Sequence, residues 1–471
     1  MSLHHASEFE QARLARDPRY DGRFFVGVLT TGIYCRPICP ANLPKAENIR
    51  FFDSALNAQQ AGLRPCLRCR PESAPGSSAW RGTEAVVGRA QRLIEQGDWH
   101  QQGASQLATR LGVTDRHLRR LFVQHLGVTP VQYANHHRLM LARRLLVQTT
   151  LPVADVAVLA GFGSQRRFHE AFQQAFNSTP LVLRRNGDEQ PGTRLTLQLS
   201  YRPPYDWDSM LAFLRSRFAP AIEHIGDADY QRWYLTESGD PASYRVRHLA
   251  ARHCLEVEIE QSSWQPLAPL LNALRRQFDL DANPMVIGDA LAQHRGIAPL
   301  VTSRPGLRLP GSFNPWEAAL RGVLGQQVSI AAATTHYNRL IEALGQPHQL
   351  GERRFHKVPT PQQVASSDLE MLKMPQARKT ALRALAGAVI AEPDFFAAQR
   401  IDDLYDRLLA LPGFGPWTAR YILLRAMSDS DAFPDQDLII KRRLQALNLT
   451  TADCAQFAPW RGYLTLHLWA S

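Results

Sequence analysis

The sequence contains no apolar run long enough to cross a membrane, and it has few cysteines for its length. Nowhere in its 471 residues do about 18 apolar residues follow one another, and the N-terminal segment lacks the apolar core of a signal peptide. Six cysteines are too few for a disulfide framework in a chain of this size. These features exclude a membrane-spanning protein and predict a cytoplasmic one, in which clustered cysteines bind metal or react.

Acidic residues are too few to balance the basic ones, and the imbalance is concentrated at one end. The chain has 54 Lys and Arg against 43 Asp and Glu, a formal net charge of +11. Residues 1–190 hold 24 basic and 15 acidic side chains, whereas residues 191–471 hold 30 and 28. A basic front predicts binding to a polyanion, with nucleic acid as the first candidate. An anionic membrane surface is the second, although no Lys- and Arg-rich amphipathic helix is present to lie on it.

The length and two polar segments predict several domains. At about 100–200 residues per domain, the chain is long enough for three or four. SAPGSSA (73–79) and NGDEQPG (186–192) are typical of linkers. Alternating apolar and polar residues at 194–200 and 247–260 predict an antiparallel sheet, and the pattern is helical almost throughout from about 312 onward. The predicted domains are 1–72, 80–186, 193–285 and 286–471.

The second predicted domain contains an internal repeat. Residues 104–130 are similar to residues 153–180: each copy has a short apolar helix pattern, a glycine, a polar N-cap residue (Thr114 or Ser164) and an amphipathic helix. Two such helix-turn-helix copies resemble the DNA-binding domain of AraC-type regulators, which implies that each second helix enters a major groove of promoter DNA. The side chains that would reach base edges are Arg116, Arg119, Arg120, Gln165, Arg166 and Arg167. A plain helical bundle with a solvated basic face is the alternative.

Four of the six cysteines form two closely spaced pairs in the first predicted domain. Three residues separate Cys35 from Cys39, and two separate Cys66 from Cys69. Each short segment can place two sulfur atoms on one side of a tetrahedral metal ion, so the pattern predicts one zinc ion bound by all four thiolates. Disulfides are the alternative, which a reducing compartment disfavours.

The residues around these cysteines carry a family resemblance. GIYCRPICP and RPCLRCR, within residues 8–72, resemble the N-terminal domain of Ada-type adaptive-response regulators. The resemblance implies that Cys35 irreversibly accepts a methyl group from a methylphosphotriester in DNA. Zinc keeps such a sulfur deprotonated, and methylation would reduce the negative charge of the site and tighten binding to the phosphate backbone. A purely structural zinc site is the alternative, and Asn42 stands where the family commonly has a phosphate-binding arginine.

The segment LPGFGPWTAR (411–420) predicts a helix-hairpin-helix. Gly413 and Gly415 allow a tight turn, and the backbone N–H groups that follow can hold a DNA phosphate without reading sequence. An ordinary turn between helices is the alternative. Asp437 lies twenty residues after Trp417, and a hairpin followed by an aspartate at this distance resembles the helix-hairpin-helix DNA glycosylases.

Residues 194–471 resemble the AlkA-type alkylpurine glycosylases in five segments. These are PPYDW (203–207), RPGLRLPGSFNPWEAALRGVLGQQVS (304–329), the hairpin, the Asp437 segment and PWRGYLTLHLW (459–469). The resemblance implies that Asp437 stabilises an oxocarbenium-like sugar or activates water when the N-glycosidic bond breaks, with Asp435 as the weaker candidate. A helix N-cap is the alternative role for Asp437, and the two roles are compatible.

The same resemblance implies an aromatic pocket for a base that has left the stack. Its members would be Trp417, Tyr421, Trp469 and Phe213. Aromatic rings attract a cationic alkylated purine by stacking and cation–π forces, whereas core packing is the alternative for each ring. Trp417 stands where glycosylase/lyase relatives have a catalytic lysine, which predicts monofunctional hydrolysis. Gln327 stands where the family has a leucine that wedges into the duplex.

The patterns predict a multidomain α+β chain, and the family resemblances imply that it senses and repairs alkylated DNA. Its parts would be a small zinc-binding α/β domain, an all-α double helix-turn-helix domain, an antiparallel-sheet α+β domain and an all-α helix-hairpin-helix glycosylase domain. The predicted partners are double-stranded, alkylated and promoter DNA, together with RNA polymerase, and the glycosylase resemblance implies a monomer. The Pro-Cys-His-Arg signature of the Ada methyltransferase domain does not occur, so repair of O6-alkylguanine is not expected.

Two alternatives to this function stay open. In one, the chain is a transcription factor whose back half only binds damaged DNA. In the other, it is a repair enzyme whose front half only adds affinity for DNA. Turnover of damaged bases distinguishes the first alternative, and promoter binding that responds to methylation of Cys35 distinguishes the second.

Overall fold

The computed structural model describes residues 3–16, 20, 24–52, 58, 61–69, 71, 83–95, 97, 99–184, 193–396 and 401–470. Both predicted linkers, 73–79 and 186–192, lie outside these ranges. The chain divides into two compact units, Met1–Ile94 with Gln101–Ala134, and Glu95–His100 with Asn135–Ser471. Within the described ranges, no helix has both the length and the apolar character that a membrane crossing requires. The domain boundaries predicted from the sequence stay predictions.

The first unit begins with a helix and a small sheet. Its elements are α1 (Leu3–Ala15), β1 (Phe25–Val28), β2 (Ile33–Cys35), β3 (Ile49–Phe52) and β4 (Arg64–Pro65). The strand order is β3–β1–β2–β4, with β4 parallel to β2 and the other pairs antiparallel. Successive residues of β1 point to opposite faces, so Phe25 packs with Tyr34 and Phe52, whereas Val26 packs with Ala12 of α1. The sheet is therefore covered by apolar side chains on both faces.

The helices that follow contain both predicted helix-turn-helix copies. They are α2 (Thr83–Glu95), α3 (Trp99–Arg110), α4 (Asp115–Leu126), α5 (Pro130–Gln148), α6 (Val153–Leu159), α7 (Gln165–Phe176) and α8 (Pro180–Leu183). Thr114 and Ser164 each accept a hydrogen bond from the backbone N–H three residues further on. Gly112 and Gly161 have positive φ between the paired helices, a conformation that glycine adopts without strain. The predicted N-caps and glycine turns are confirmed.

The second unit contains a five-stranded antiparallel sheet. Its elements are β5 (Arg194–Ser200), α9 (Trp207–Arg215), β6 (Glu223–Ile225), β7 (Asp229–Leu235), β8 (Pro241–Leu249), β9 (Cys254–Gln261) and α10 (Ala268–Gln277). The order is β5–β9–β8–β7–β6. β5 coincides with the strand predicted at 194–200. The alternation at 247–260 is not one strand, because a 3-10 turn at Ala250–Arg252 separates β8 from β9; within the turn, Ala250 and Ala251 interrupt the alternation.

The rest of the second unit is almost entirely helical. Its helices are α11 (Pro284–Ala292), α12 (Ala298–Ser303), α13 (Pro315–Leu324), α14 (Ile330–Leu344), α15 (Pro361–Ser366), α16 (Gln376–Ala391), α17 (Ile401–Leu409), α18 (Pro416–Ala426), α19 (Leu438–Ala446) and α20 (Arg461–Ala470). The prediction of an all-α region is wrong at one hairpin, β10 (Pro347–Leu350) with β11 (Arg353–His356). These strands are short and largely polar, so they carry no apolar alternation, and Gly351 turns between them with φ +55°.

Candidate active site and metal centre

The four predicted zinc ligands meet at one end of the small sheet. The parallel pairing of β2 and β4 brings Cys35, the last residue of β2, next to Cys66, whose N–H donates to Tyr34 O at 3.0 Å. All four sulfur atoms lie within 4.8 Å of one another, and Sγ of Cys39 is 4.0 Å from Sγ of Cys66. Zinc–sulfur bonds of about 2.3 Å in a tetrahedron put the sulfurs about 3.8 Å apart. The cluster therefore has the composition and the spacing of a structural zinc site.

The four cysteines differ in exposure. Cys39, Cys66 and Cys69 are buried, whereas Cys35 is partly exposed. Next in the chain, the buried Arg36 donates its backbone N–H to Sγ of Cys69 at 3.3 Å and a guanidinium N–H to the carbonyl of Cys69 at 3.3 Å. Arg36 thus holds Cys69 through both its backbone and its side chain.

The predicted base-reading side chains lie on the second helix of each helix-turn-helix copy. All six are exposed: Arg116, Arg119, Arg120, Gln165, Arg166 and Arg167. The apolar residues of the same helices, Leu118 and Phe122 in α4 and Phe168 and Phe172 in α7, are fully buried. Burial of one face therefore fixes which side chains face solvent, and these are the basic and polar ones.

A cavity of about 400 Å³ in the second unit contains the predicted glycosylase residues. Asp437 and all four predicted aromatic residues line it: Phe213, Trp417, Tyr421 and Trp469. The rings of Trp417 and Tyr421 are stacked, with centroids 5.3 Å apart and planes 17° apart. The centroid of the Tyr421 ring is also 6.5 Å from that of the Trp469 ring. Core packing alone does not account for these rings, because each borders an open cavity.

Hydrogen bonds hold both carboxylate oxygens of Asp437. Oδ1 accepts from the backbone N–H of Ile439 at 2.9 Å and of Ile440 at 3.2 Å, which makes Asp437 the N-cap of α19. Oδ2 accepts from Nε1 of Trp417 at 2.9 Å. Among the described residues, Asp437 is the one carboxylate that lines the cavity, and Asp435 does not line it. The N-cap role and a role in the cavity therefore coexist in one side chain.

The hairpin and the predicted wedge residue are joined by a side chain that the sequence interpretation did not single out. Gly413 has φ +79° in the hairpin turn, and Gly415 is the N-cap of α18. Gln327 is exposed, with φ +55°, in the turn between α13 and α14. The amide of the preceding Gln326 donates to Gly413 O at 2.9 Å and to Thr418 Oγ1 at 3.0 Å. These bonds fix the two turns against each other.

Arginines form much of the polar wall of the cavity, and the sequence interpretation also missed them. Those that line it are Arg217, Arg304, Arg308 and Arg321. Burial raises the pKa of the Tyr421 phenol, but Arg425, Arg217 and Arg321 outweigh that effect and leave the pKa below its usual value. Burial lowers the pKa of Arg425 to about 10. These residues are scattered along the chain, so no local spacing could have revealed them.

Three family models match consecutive parts of the chain. The metal binding domain of Ada matches residues 8–72, a helix-turn-helix domain matches residues 107–186, and the AlkA N-terminal domain matches residues 196–314. The first match coincides with the four-cysteine cluster, and together they confirm the predicted zinc site. The order of the three matches is the order predicted from the sequence.

Comparisons over longer stretches agree. The "Probable bifunctional transcriptional activator/DNA repair enzyme AlkA" of Mycobacterium tuberculosis (strain ATCC 25618 / H37Rv) is 38% identical over 97% of this chain and 94% of its own length. The "DNA-3-methyladenine glycosylase 2" of Escherichia coli (strain K12) is 33% identical over 58% of this chain and 95% of its own length. A 3-methyladenine DNA-glycosylase from Archaeoglobus fulgidus covers 58% of this chain and 96% of its own, with a TM-score of 0.51 at 16% identity, and shares the fold. This chain belongs to the family of bifunctional Ada/AlkA-type transcriptional activators and DNA repair enzymes.

Proposed function

We propose that this chain excises alkylated purines of the 3-methyladenine type from DNA as a monofunctional glycosylase, and that it also accepts methyl groups and activates transcription. The observation that carries the first activity is Asp437, a carboxylate held by three hydrogen bonds at the wall of an aromatic cavity. The similarity of the back half to a 3-methyladenine glycosylase supports the same activity.

The residues of the cavity suit each stage of base excision. A base turned out of the duplex enters between aromatic rings and stacks on Trp417 and Tyr421. Asp437 then lies beside the sugar, where positive charge develops as the N-glycosidic bond breaks, and its carboxylate stabilises that charge or accepts a proton from the attacking water. Among the described residues no lysine lines the cavity, so the reaction ends at an abasic site without cleavage of the strand.

The zinc centre supports the second activity. A bound zinc ion keeps its cysteine sulfurs as thiolates at neutral pH. Cys35 attacks the methyl carbon of a neutral methylphosphotriester: an S–C bond forms, the O–C bond breaks, and a phosphodiester anion leaves. The sulfur becomes a thioether, so the site loses one negative charge and repels the DNA backbone less. The partly exposed position of Cys35 among three buried cysteines supports its role as the acceptor.

The helix-turn-helix copies connect this chemistry to transcription. In this proposal, the exposed arginine and glutamine side chains of each copy reach the base edges of promoter DNA in a major groove. Methylation of Cys35 would strengthen binding to that promoter, where the chain would contact RNA polymerase. The name of the M. tuberculosis relative, a transcriptional activator, supports this part of the proposal.

A base-release assay tests the glycosylase. Duplex DNA containing a methylated purine is incubated with the wild-type chain and with Asp437→Asn. Each reaction mixture is then divided in two, and one half is treated with alkali. Release by the wild type beyond one base per protein, lost in Asp437→Asn and followed by strand breaks only after alkali, is the expected result. Absence of release by folded, zinc-loaded protein would instead favour a damage-binding back half.

Mass spectrometry tests the methyl acceptor. Zinc-loaded protein is incubated with DNA that carries methylphosphotriesters, and a peptide with one added methyl group at Cys35 is expected. Promoter affinity is then measured before and after methylation, and an unchanged affinity would contradict the regulatory role while leaving the chemistry intact.

A further inference from the structure

Positive charge gathers at the end of the cavity formed by Phe213 and Tyr421, although the base that the cavity is proposed to bind is itself cationic. Arg217 and Arg321 line the cavity beside Phe213 and Tyr421. The guanidinium carbon of Arg217 lies 3.7 Å from the centroid of the Phe213 ring, and that of Arg425 lies 4.5 Å from the same centroid. Nη1 of Arg321 donates to the carbonyl of Arg217 at 3.0 Å. Three guanidinium groups therefore gather around two of the rings that would receive the base.

The carboxylates behind this end do not neutralise the three arginines. A small second cavity is bordered there by Glu223, Glu317 and Arg232, together with Arg217, Arg321 and Arg425. Nη1 of Arg232 lies 3.0 Å from Oε1 of Glu223, and Nη2 of Arg232 binds Oε1 of Glu317. The residues around this second cavity thus include four guanidinium groups and two carboxylates, so their summed charge is positive.

Arg425 is a buried member of this group of arginines. It is only 6% exposed, and its Nη1 has no hydrogen-bond partner among the described residues. The neighbouring Arg217 and Arg321 also lower its pKa, in addition to burial. A buried charge that lacks a full set of partners destabilises a protein. Arg425 borders the second cavity and lies against the Phe213 ring of the main one, so its charge acts on the wall of the main cavity.

The negative charge of Asp437 is connected to the arginines by a continuous series of side-chain contacts. Asp437 accepts a hydrogen bond from Trp417, Trp417 stacks on Tyr421, and Tyr421 lies against the arginines. A base stacked on Trp417 and Tyr421 would have the anionic carboxylate on its sugar side and the guanidinium groups on its far side. The contacts therefore lead from the negative charge of Asp437, through two stacked rings, to the positive charge of the arginines.

We propose, on the basis of the proposed glycosylase activity, that Arg217, Arg321 and Arg425 electrostatically drive the departure of the base by opposing positive charge on it while Asp437 attracts that charge onto the sugar. The electron pair of the C1′–N bond moves to the base nitrogen, so a cationic alkylpurine leaves as a neutral base. The positive charge passes to the sugar beside Asp437. Water then adds to C1′ and gives a proton to Asp437 or to solvent.

This polarity predicts a signature that depends on the charge of the base. A cationic base is repelled in the ground state and less so in the transition state, so the arginines raise both KM and kcat for it. A base that is neutral in DNA leaves as an anion, which the arginines attract, so for it they raise kcat without raising KM. An arginine with only a structural role would change KM and kcat in the same way for both bases.

Single-turnover kinetics with Arg425→Met test the proposal, since Arg425 lies behind Tyr421 and Met keeps most of the apolar stem. The substrates are duplexes with 7-methylguanine, which is cationic, and with hypoxanthine, which is neutral. We expect the rate of the chemical step to fall on the order of tenfold for both, with KM lowered only for 7-methylguanine. Arg425→Lys should restore most of the rate, and Arg354→Met, an exposed change on β11, should leave it unaltered.

The outcomes separate this proposal from the function on which it rests. Wild-type protein that releases neither base overturns the proposed function and this inference with it. Wild-type release with an Arg425→Met rate that is unchanged, or with equal changes in KM for the two bases, overturns only the role of the arginines. Melting temperatures of all variants are measured in parallel, and a rate loss in Arg425→Met that Arg425→Lys does not restore also contradicts the electrostatic role.

Discussion

In the proposed function, the zinc centre and the aromatic cavity each present one anionic group to DNA, but they hold that group by different means. Cys35 depends on a metal ion that three buried cysteines share with it. Asp437 depends on hydrogen bonds from the backbone of α19 and from the indole of Trp417. One group is therefore sensitive to metal and the other to the geometry of its neighbours.

The charge around the two groups differs as well. The cysteine cluster concentrates negative charge, which methylation of Cys35 would reduce for good. The cavity sets one carboxylate against several arginines, and this arrangement is the same before and after each reaction. A centre that is altered by its own chemistry suits a sensor, whereas a centre that is restored suits a catalyst.

Removal of zinc should have the largest effect and should separate the two sites. Structural zinc ions contribute about 10–16 kcal/mol of apparent binding free energy, more than the small apolar clusters around β1 can replace. A chelator should therefore abolish methyl acceptance at Cys35 and unfold residues 8–72, while base excision persists. Circular dichroism, metal analysis and base release measured on the same sample check this. Loss of excision in parallel with zinc would show that the two sites are coupled.

Asp437→Asn should produce the opposite pattern. Asparagine caps a helix about as well as aspartate does, so α19 should stay folded while the charge beside the sugar is lost. Excision should fall by roughly a hundredfold to a thousandfold or more, and methyl acceptance at Cys35 should be unchanged. Single-turnover base release and the methylated-peptide assay give the two readings. Asp435→Asn is the matched control, and a similar loss in that variant would contradict the assignment.

The same contrast explains what the sequence could predict. The zinc ligands lie in two short segments, and each N-cap of α4 and α7 lies directly before its helix. Residues that act together are therefore close to each other in the sequence as well as in the structure. Asp437 and the aromatic residues could be predicted through the family resemblance of several separate segments. The domain boundaries and the DNA-contacting residues are still predictions.

What the sequence could not predict depends on tertiary contacts. Arg217, Arg321 and Arg425 are distant in the chain and converge only in the folded unit. The bond from Trp417 to Asp437 joins residues on α18 and at the start of α19, and no periodicity encodes it. The hairpin of β10 and β11 is too short and too polar for alternation to reveal. Charge and hydrogen bonding across helices therefore need the structure, whereas local caps and metal motifs do not.

Trp417→Phe should have an intermediate effect, because it keeps a ring against Tyr421 and removes the donor to Asp437. A hydrogen bond to a charged group contributes about 1.5–3 kcal/mol, so the excision rate should fall by roughly tenfold to a hundredfold, with little change in KM. In the Asp437→Asn background the same change should cost much less, since the two residues act together. Trp264→Phe, outside the cavity lining, is the control. Additive losses in the double variant would mean that the indole acts by stacking alone.

Gln326→Glu should have the smallest effect, and it tests whether the hairpin and the Gln327 turn act as one surface. The substitution keeps the shape and removes both N–H donors to Gly413 O and Thr418 Oγ1. Because Thr418 is buried, we expect a loss of roughly 1–3 kcal/mol in stability and a few-fold rise in KM for damaged DNA, with kcat nearly unchanged. Gln362→Glu adds the same charge at an exposed position of α15 and should leave both quantities unaltered. A fall in kcat instead of a rise in KM would show that Gln326 positions the reacting groups and not the DNA.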